Sequence, residues 1–320
     1  MKVSVLAFDL SDNSTGRADL LARLLAPRYT VEVVGPRFDA EVWRPARDGA
    51  IAYRTRAGAR YPAFAALAAE LARLADGDVL LASKPRPTSF GVALLARRQR
   101  PRPLILDVDD WELGFFYRSG IWGRLGRALN LANPNGLPWT WLTERLIGRA
   151  DALIVASRFL ERRFGGTLIP HVRDTDAWDP ARRPAPRRLA ARLGADDDEP
   201  RSLQTVHRRH EILDALVAVP QRATSDTVGQ VPAKLFDAMA MARPIVSTSV
   251  SMIPEILEGC GLLVPPGEPR ALRAMLETLL SSAERAQELG RRARARCIER
   301  YSFTAARAVL FPLVDGLVAR

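Results

Sequence analysis

The chain has 320 residues, 48% of them hydrophobic and 26% charged, and its formal net charge is +11. This length allows two domains with sizeable cores, and no apolar run approaches the roughly 18 residues of a membrane span, which predicts a soluble protein. The two cysteines indicate no disulfide framework, and Asp9 interrupts the first apolar run too early for a signal peptide. We therefore expect a cytoplasmic protein.

The positive charge comes almost entirely from arginine, because Lys2, Lys84 and Lys234 are the only lysines. Acidic residues are interspersed among the arginines, and the sequence lacks the paired aromatics and the zinc-ligand spacing of nucleic-acid-binding domains. The composition therefore argues against a nucleic-acid partner. Peripheral contact with an anionic membrane on its cytoplasmic face stays open, since basic residues favour it.

The N-terminal half alternates between strand and helix patterns, which is typical of an α/β fold with a parallel sheet. Predicted strands cover residues 3–9, 31–34, 51–54, 78–83 and 152–157, and a further strand begins at residue 103. Helical periodicity covers residues 18–25, 64–74 and 90–97. We expect about seven strands in this half, enough for a complete doubly wound domain.

Polar residues follow the first and fourth predicted strands. Doubly wound folds bind ligands beyond the carboxyl ends of their strands, so Ser14, Thr15 and Gly16 are candidate ligand contacts. Helix capping by the same residues is an alternative of equal weight. Lys84 and Arg86 should lie at the same edge of the sheet, where solvated charges are the simpler interpretation.

Three aspartates, Asp107, Asp109 and Asp110, cluster where the strand beginning at residue 103 ends. Such close carboxylates repel one another, so we expect a group that stabilises them. Asp107-Val-Asp109 matches a short Asp-x-Asp pair that can bind a divalent metal. A phosphatase nucleophile is a second interpretation, although it would need a small residue in place of Trp111 and normally lies in the first strand.

An aromatic segment follows, from Phe115 to Leu146, and includes Trp122, Trp139 and Trp141 among glycines and arginines. An apolar and basic segment can touch a membrane surface. Packing of the tryptophans beneath a long loop is the more common alternative.

The second half has fewer strand signals than a complete doubly wound domain needs. Residues 216–220, 245–247 and 262–264 are predicted strands, whereas residues 181–211 show no convincing strand. Two helices are predicted between residues 271 and 298, and a last one covers 305–318. We therefore predict that the second domain is abbreviated.

The most informative stretch runs from Gly229 to Glu255 and predicts a loop, a helix, a buried strand and a turn. Pro232 suits the first helical turn. The positive end of the helix dipole, the Lys234 charge and the free N–H groups of the first turn together favour a bound phosphate. Those N–H groups belong to Val231, Ala233 and Lys234. A solvated ion pair between Lys234 and Asp237 is the alternative.

This stretch resembles a known signature. The run Pro-Ala-Lys-Leu-Phe-Asp-Ala-Met-Ala-Met-Ala-Arg-Pro-Ile-Val, followed by Ile-Pro-Glu-Ile-Leu and Gly-Leu-Leu-Val-Pro-Pro-Gly, resembles the donor-binding signature of retaining glycosyltransferases of family 4. The resemblance implies an α/β fold of two facing doubly wound (Rossmann-like) domains, the second abbreviated. Residues 1–175 would form the acceptor domain, 176–300 the nucleotide-sugar donor domain, and 301–320 a C-terminal helix that packs back on the first domain.

The resemblance also implies a reaction. A sugar would move from a nucleoside-diphosphate co-substrate to a hydroxyl of a glycan or lipid-linked acceptor, with retention of configuration and with no obligatory metal or other cofactor. The implied donor-binding residues are Gly229, Gln230, Val231, Lys234 and Asp237. The implied acceptor or cleft residues are Ser14, Thr15, Gly16, Lys84, Trp111, His171 and Asp174, the last two lying in a stretch similar to the family's interdomain crossing.

The chain departs from the family pattern at two positions, Asp109 and Gly229. In the family, the strand that corresponds to the one before Asp109 commonly ends in a histidine beside the reacting sugar. The resemblance therefore implies Asp109 and Asp110 as catalytic residues, which is the third interpretation of the aspartate cluster. The family signature places two glutamates eight positions apart; Asp237 matches the second, and Gly229 stands at the first. This missing carboxylate and the short second domain favour an alternative function, a non-catalytic relative that acts as a binding module.

Overall fold

The computed structural model describes residues 1–46, 51–117, 129–181, 217–219, 221–224 and 227–319. The chain divides into two compact units. Unit 1 comprises Met1–Pro170, Val228–Gln230 and Ala306–Arg320, and unit 2 comprises His171–Thr227 and Val231–Ala305. Most of the 181–211 stretch, for which the sequence predicts no strand, lies outside the described residues, and so does Trp122.

Unit 1 contains a parallel sheet of seven strands in the order β3-β2-β1-β4-β5-β6-β7. The strands are β1 Lys2–Leu6, β2 Thr30–Arg37, β3 Ala52–Ala57, β4 Val79–Ser83, β5 Leu104–Val108, β6 Ala152–Val155 and β7 Thr167–Leu168. The first six confirm the predicted strands to within a few residues, and β7 is a two-residue strand that the sequence did not single out. The doubly wound α/β prediction is confirmed for this unit.

Helices connect these strands. Their bounds are α1 Thr15–Leu25, α2 Phe64–Leu74, α3 Val92–Gln99, α4 Gly114–Tyr117, α5 Leu137–Arg145 and α6 Arg158–Phe164. A π-helical turn, Pro87–Gly91, precedes α3, and short 3-10 turns cover Arg44–Ala46 and Ile147–Arg149. The central strands β4 and β5 are buried along their whole length because helices cover both faces of the sheet.

The strand order of unit 1 determines where its polar loops meet. The order runs outward from β1 to β3 on one side and from β4 to β7 on the other, so the topology switches between β1 and β4. In open parallel sheets such a switch point leaves a crevice beyond the carboxyl ends of the strands. The loops that follow β1, β4 and β5 therefore begin at the same edge of the sheet.

Unit 2 contains a parallel sheet of three described strands in the order β10-β9-β8. These strands are β8 Val217–Val219, β9 Ile245–Thr248 and β10 Leu262–Val264. The helices are α7 Ala233–Ala240, α8 Ile253–Ile256, α9 Pro269–Leu280, α10 Ala283–Arg300 and α11 Phe303–Val318, of which residues 306–318 belong to unit 1. Helix α10 packs so tightly beside the end of α7 that a side chain at Gly290 would overlap the Ala242 carbonyl.

The C-terminal part of α11 makes specific contacts within unit 1. The Tyr29 hydroxyl donates to Asp315 Oδ1 at 2.6 Å, and the Tyr29 ring meets Phe311 edge-on at 5.8 Å between centroids. Arg307 Nε donates to the Leu24 carbonyl at 3.1 Å, at the end of α1. Across the described ranges, no helix combines the length and apolar character needed to cross a membrane.

Candidate functional site

The loop after β1 is folded by its own polar groups. The Asp9 carboxylate accepts hydrogen bonds from the Ser11 N–H at 2.8 Å and the Ser11 hydroxyl at 2.5 Å. The Ser14 and Thr15 hydroxyls donate to the Asp9 carbonyl at 3.2 and 2.9 Å. Ser14 makes no side-chain capping bond to α1, so the helix-capping alternative is wrong for this residue. Gly16 lies beneath the Trp43 ring.

Lys84 is buried, which corrects the expectation of a solvated charge at the rim. Only 6% of the residue is exposed. Its ammonium group lies 2.8 Å from Asp109 Oδ1, 2.9 Å from Asp110 Oδ2 and 2.9 Å from Glu112 Oε1. The group that stabilises the aspartates is therefore Lys84, which directly follows the neighbouring strand β4. The sequence did not reveal this pairing because Lys84 is far from the aspartates along the chain.

The backbone of Lys84 is in the left-handed region, with φ of 75°. Non-glycine residues seldom adopt this conformation, and it persists where surrounding bonds determine it. The Lys84 N–H donates to the Asp107 carbonyl at 2.8 Å, and its own carbonyl accepts from the Arg86 N–H at 2.8 Å and the Ser89 hydroxyl at 2.7 Å. These three bonds aim the side chain along the carboxyl end of β5.

Arg86 is also buried, again in contrast to the expected solvated charge. Its guanidinium forms an ion pair with Glu112 in which Nε lies 2.8 Å from Oε2. The same group donates to the Thr140 hydroxyl at 2.6 Å and to the Asn135 carbonyl at 2.8 Å. Glu112 was not among the predicted site residues, although it follows the aspartates by two positions.

Arg17 is a further site residue that the sequence analysis missed. It is 3% exposed, and its guanidinium contacts both carboxylate oxygens of Asp107, the shortest distance being 2.7 Å. It also donates to the Ile169 and Pro170 carbonyls at 2.9 and 3.1 Å. A signal was available, because Arg17 falls at the helical spacing of the apolar stripe that continues through Leu21 and Leu24.

This cluster holds one more carboxylate than it has cations, counted over the described residues. Burial raises the pKa of both Asp109 and Asp110, and the Lys84 charge opposes that rise only in part. Burial also favours a raised pKa for Glu112, but Arg86 and Lys84 outweigh it and hold the pKa below its usual value. The carboxylates are Asp107, Asp109, Asp110 and Glu112, and the cations are Arg17, Lys84 and Arg86.

Carboxylate oxygens of Asp109, Asp110 and Glu112 lie within 4.8 Å of one another, a spacing that lets one cation contact all three. The Lys84 ammonium makes those contacts. Asp107 does not join this group, because Arg17 holds both of its oxygens. The Asp-x-Asp interpretation would require Asp107 and Asp109 on one ion, and the phosphatase interpretation would place the pair after the first strand rather than the fifth.

In unit 2, the predicted phosphate-binding position is the start of α7. Lys234 occupies the second helical position, is exposed, and has no side-chain partner among the described residues. The first N–H groups of a helix have no partner inside it. The solvated Lys234–Asp237 pair does not form, because Asp237 Oδ1 is bound by Arg173 Nε instead. Arg173 also donates to the Ala233 carbonyl at 2.9 Å and was missed by the sequence analysis.

His171 and Asp174 lie in the segment of unit 2 that leads to Arg173 and continues beyond it. The His171 ring packs beside Phe236 of α7, with 6.3 Å between the ring centroids. Asp174 Oδ1 accepts from the Asp176 and Ala177 N–H groups at 3.2 and 3.1 Å, which closes a turn. His171 therefore lies next to the α7 site, whereas the observed bonds of Asp174 are local.

Gly229 occupies a crowded position in unit 1. The Ser157 hydroxyl donates to its carbonyl at 2.8 Å. A Cβ atom at Gly229 would lie 3.0 Å from the Phe159 ring and 3.7 Å from Cβ of Trp111. A side chain here would have to displace an aromatic ring. Of the other predicted donor-binding residues, Gln230 is half-buried in unit 1 and Val231 is buried in unit 2.

Comparison with protein families gives two matches. The family described as "Glycosyl transferase 4-like domain" matches residues 15–175, just over half of the chain. The family described as "Glycosyl transferases group 1" matches residues 204–282. No protein with curated annotation matches the chain significantly.

Solved structures resemble the whole chain. HepE of Anabaena, in complex with UDP-glucose, is 16% identical over 99% of this chain and 100% of its own, with a TM-score of 0.67. Sucrose-phosphate synthase of Thermosynechococcus elongatus is 17% identical over 100% and 99%, with a TM-score of 0.56. A glycosyltransferase of Rickettsia africae is 11% identical over 99% and 98%, with a TM-score of 0.57. At these identities the likenesses show the fold, which confirms the predicted α/β class with Rossmann-like domains.

Proposed function

The chain belongs to the glycosyl transferase 4-like family, and from this premise we propose that it transfers a sugar from a nucleoside diphosphate to an acceptor hydroxyl with retention of configuration. The donor binds unit 2 and the acceptor binds unit 1. HepE of Anabaena, a structural neighbour, binds UDP-glucose, so a uridine diphosphate sugar is the first donor to test.

The start of α7 is the observation that carries this proposal. Its first N–H groups, its dipole and the exposed Lys234 present positive charge, and Arg173 keeps the Asp237 carboxylate from neutralising that charge. Such a helix start suits a diphosphate. Lys234 adds a charge-assisted hydrogen bond that stabilises both the bound donor and the charge that develops on the departing diphosphate.

Arg173 prepares Asp237 for the sugar of the nucleotide. It bonds Oδ1 of Asp237 and the Ala233 carbonyl, so the carboxylate is held against the first turn of α7. Oδ2 then accepts hydrogen bonds from the ribose hydroxyls. His171 packs beside Phe236 of the same helix, and Asp174 closes the turn that follows Arg173.

In unit 1, Asp109 and Asp110 act at the reacting sugar or the acceptor hydroxyl. Their carboxylates are fixed by Lys84, so they orient a hydroxyl without moving during the reaction. The acceptor oxygen bonds to the anomeric carbon on the face from which the diphosphate departs, and the departing phosphate oxygen takes the hydroxyl proton, so the step needs neither a protein nucleophile nor a protein base. Ser14, Thr15, Gly16 and Trp111 border the acceptor. Gly229 and Gln230 are candidate donor contacts, and a Cβ atom at Gly229 would lie 3.7 Å from Cβ of Trp111.

Thermal unfolding with a panel of nucleoside diphosphates tests the donor site. A ligand at 100 times its dissociation constant stabilises the folded state by about 2.7 kcal/mol, which raises the unfolding temperature of a chain this size by roughly 4 °C. Lys234→Ala should lose about half of this shift or more. Arg270→Ala is the matched control, because Arg270 is also an exposed cation at the second position of a helix, α9. Equal shifts in both variants would place the nucleotide elsewhere.

A second candidate function is a binding module without turnover, which Gly229 favours. The carboxylate that the family signature has at this position is absent, and a Cβ atom here would lie only 3.0 Å from the Phe159 ring, which would have to shift. The two functions differ in a single measurement, release of free nucleoside diphosphate from the sugar donor with acceptor present. Binding without release would establish the module, and release that depends on Asp109 would establish the transferase.

We also propose peripheral contact with an anionic membrane, which would bring a lipid-linked acceptor to unit 1 on the cytoplasmic side. Trp141 and Leu142 on α5 are 46% and 42% exposed, and the Arg145 guanidinium lies 3.8 Å above the Trp141 ring. An apolar face edged by arginine suits an anionic interface. Sedimentation with phosphatidylglycerol vesicles should decrease for Trp141→Ala and stay unchanged for Trp178→Ala, and no decrease would reject this surface.

A further inference from the structure

We propose that Lys84 is a resident cation, holding Asp109 and Asp110 from the position that a divalent metal ion would occupy among three carboxylates. It is thus a positioning residue that acts through the aspartates. Its Nζ lies 2.8–2.9 Å from one oxygen of Asp109, Asp110 and Glu112, and these oxygens converge within 4.8 Å. Oxygen donors so arranged are the set that Mg²⁺ or Mn²⁺ prefers.

The surroundings require a cation at this point. Asp109, Glu112 and Lys84 are all buried, and an ionised carboxylate in such a place is unfavourable unless it is paired. The neighbouring cations have other partners: Arg17 bonds Asp107, and Arg86 bonds the second oxygen of Glu112. Without Lys84, Asp109 and Asp110 have no cation in contact among the described residues.

The backbone shows that the lysine is held in place rather than free to leave. The left-handed conformation at Lys84 is maintained by bonds to the Asp107 carbonyl, the Arg86 N–H and the Ser89 hydroxyl. All three bonds are made by the main-chain N–H and C=O groups of Lys84, not by its side chain. A substitution that shortens the side chain should therefore leave the loop in place and open a space lined by three carboxylate oxygens.

Manganese binding to Lys84→Ala is the direct test. We expect the variant to unfold at a lower temperature than wild type, and Mn²⁺ at 100 times its dissociation constant to raise that temperature by about 4 °C. The wild type should not respond. The electron paramagnetic resonance signal of free Mn²⁺ should fall when the variant is added, with one ion bound per chain. Lack of binding, or equal binding by wild type, would overturn the proposal.

Lys2→Ala is the matched control. Lys2 also contacts two carboxylates, with Nζ 2.8 Å from Glu32 Oε2 and a second contact to Asp76, but Arg54 pairs with both of them. Removing Lys2 thus leaves a cation in the cluster. We expect Lys2→Ala to gain no Mn²⁺ response.

A charge-balanced variant keeps the test decisive if Lys84→Ala does not fold. Lys84→Ala/Asp110→Asn removes one charge of each sign, so it should yield folded protein with weaker Mn²⁺ binding than the single variant. If the double variant is no more stable than Lys84→Ala, the Lys84 charge is not what balances Asp110, and the proposal fails.

The consequence for catalysis rests on the proposed function. Lys84→Ala should lower kcat while leaving the donor KM nearly unchanged, because the donor binds unit 2. Adding Mn²⁺ should restore part of kcat. A wild type without transfer activity would refute the proposed function while leaving the manganese binding and stability results to decide the role of Lys84.

Discussion

The carboxyl end of β5 in unit 1 and the start of α7 in unit 2 use lysine in opposite ways. Lys84 is buried and contacts three carboxylates, whereas Lys234 is exposed and has no side-chain partner among the described residues. The first lysine is part of the folded structure. The second keeps its charge available to an anion.

In the proposed function, Lys84 positions other side chains, whereas Lys234 binds the ligand. At β5, cations and carboxylates are already in contact, so the residues are organised before any ligand arrives, and removing one partner would leave a buried charge unpaired. At α7, Arg173 binds the Asp237 carboxylate, so among the described residues of unit 2 this carboxylate does not compete for the helix start. Substitutions at β5 should therefore change stability first, and substitutions at α7 should change ligand binding first.

Arg17→Met should have the largest effect on stability. It leaves Asp107 as an unpaired buried charge, for which a loss of about 3–5 kcal/mol is typical. Urea denaturation followed by circular dichroism measures the change. Arg17→Met/Asp107→Leu removes both charges and should recover most of the loss, so a double variant as unstable as the single one would contradict the ion-pair explanation.

Lys234→Ala should leave the free energy of unfolding within about 0.5 kcal/mol of wild type, as expected of an exposed residue. Nucleoside-diphosphate affinity should fall by roughly 10-fold to 150-fold, since a charge-assisted hydrogen bond contributes about 1.5–3 kcal/mol. Isothermal titration calorimetry measures the affinity. Lys84→Ala is the contrast, with lower stability and little change in nucleotide affinity; the reverse pattern would invalidate the comparison.

Gly229→Glu restores the acidic residue of the family signature but should destabilise the protein by about 1–3 kcal/mol, because the new side chain must displace the Phe159 ring. Gly148→Glu is the control, since no atom within 4 Å would meet a Cβ there. Thermal unfolding compares the two. Equal stability of both variants would mean that Phe159 does not exclude a side chain at Gly229.

Asp110→Asn should have the smallest effect, and its sign depends on pH. Burial raises the folded-state pKa of Asp110, so the wild type loses free energy of unfolding from this group as the pH rises through the carboxylate range. The variant lacks this loss and should be slightly more stable than wild type at pH 7, with the difference disappearing below about pH 4. Urea denaturation at both pH values measures this. A variant less stable at pH 7 would show that pairing with Lys84 outweighs burial.

Regular elements followed from the sequence because their signals are local. The helix predicted at residues 64–74 and the strand at 262–264 match the observed bounds, since apolar periodicity and flanking breakers act within a few residues. The Pro232 helix start and its exposed lysine were likewise readable from neighbouring residues. The family followed from the same stretch.

The pairing of charges did not follow from the sequence. Lys84 meets Asp109 because β4 and β5 are neighbours in the sheet, and Arg17 meets Asp107 across 90 residues of chain. The sequence placed Lys84 at the correct edge but in solvent, because its burial depends on the carboxylates that follow β5, the neighbouring strand. Arg173 and Asp237 are separated by 64 positions and show the same limit.

By itself, the sequence determined the α/β class, the order along the chain of the strands and of the polar loops that follow them, and the helix start that exposes Lys234, since each depends on residues close together. Tertiary structure alone decided which charges are neutralised and which are open to a ligand. The reason is physical: a carboxylate responds to the cation and the solvent within a few ångströms, and in a parallel sheet those neighbours come from distant parts of the chain.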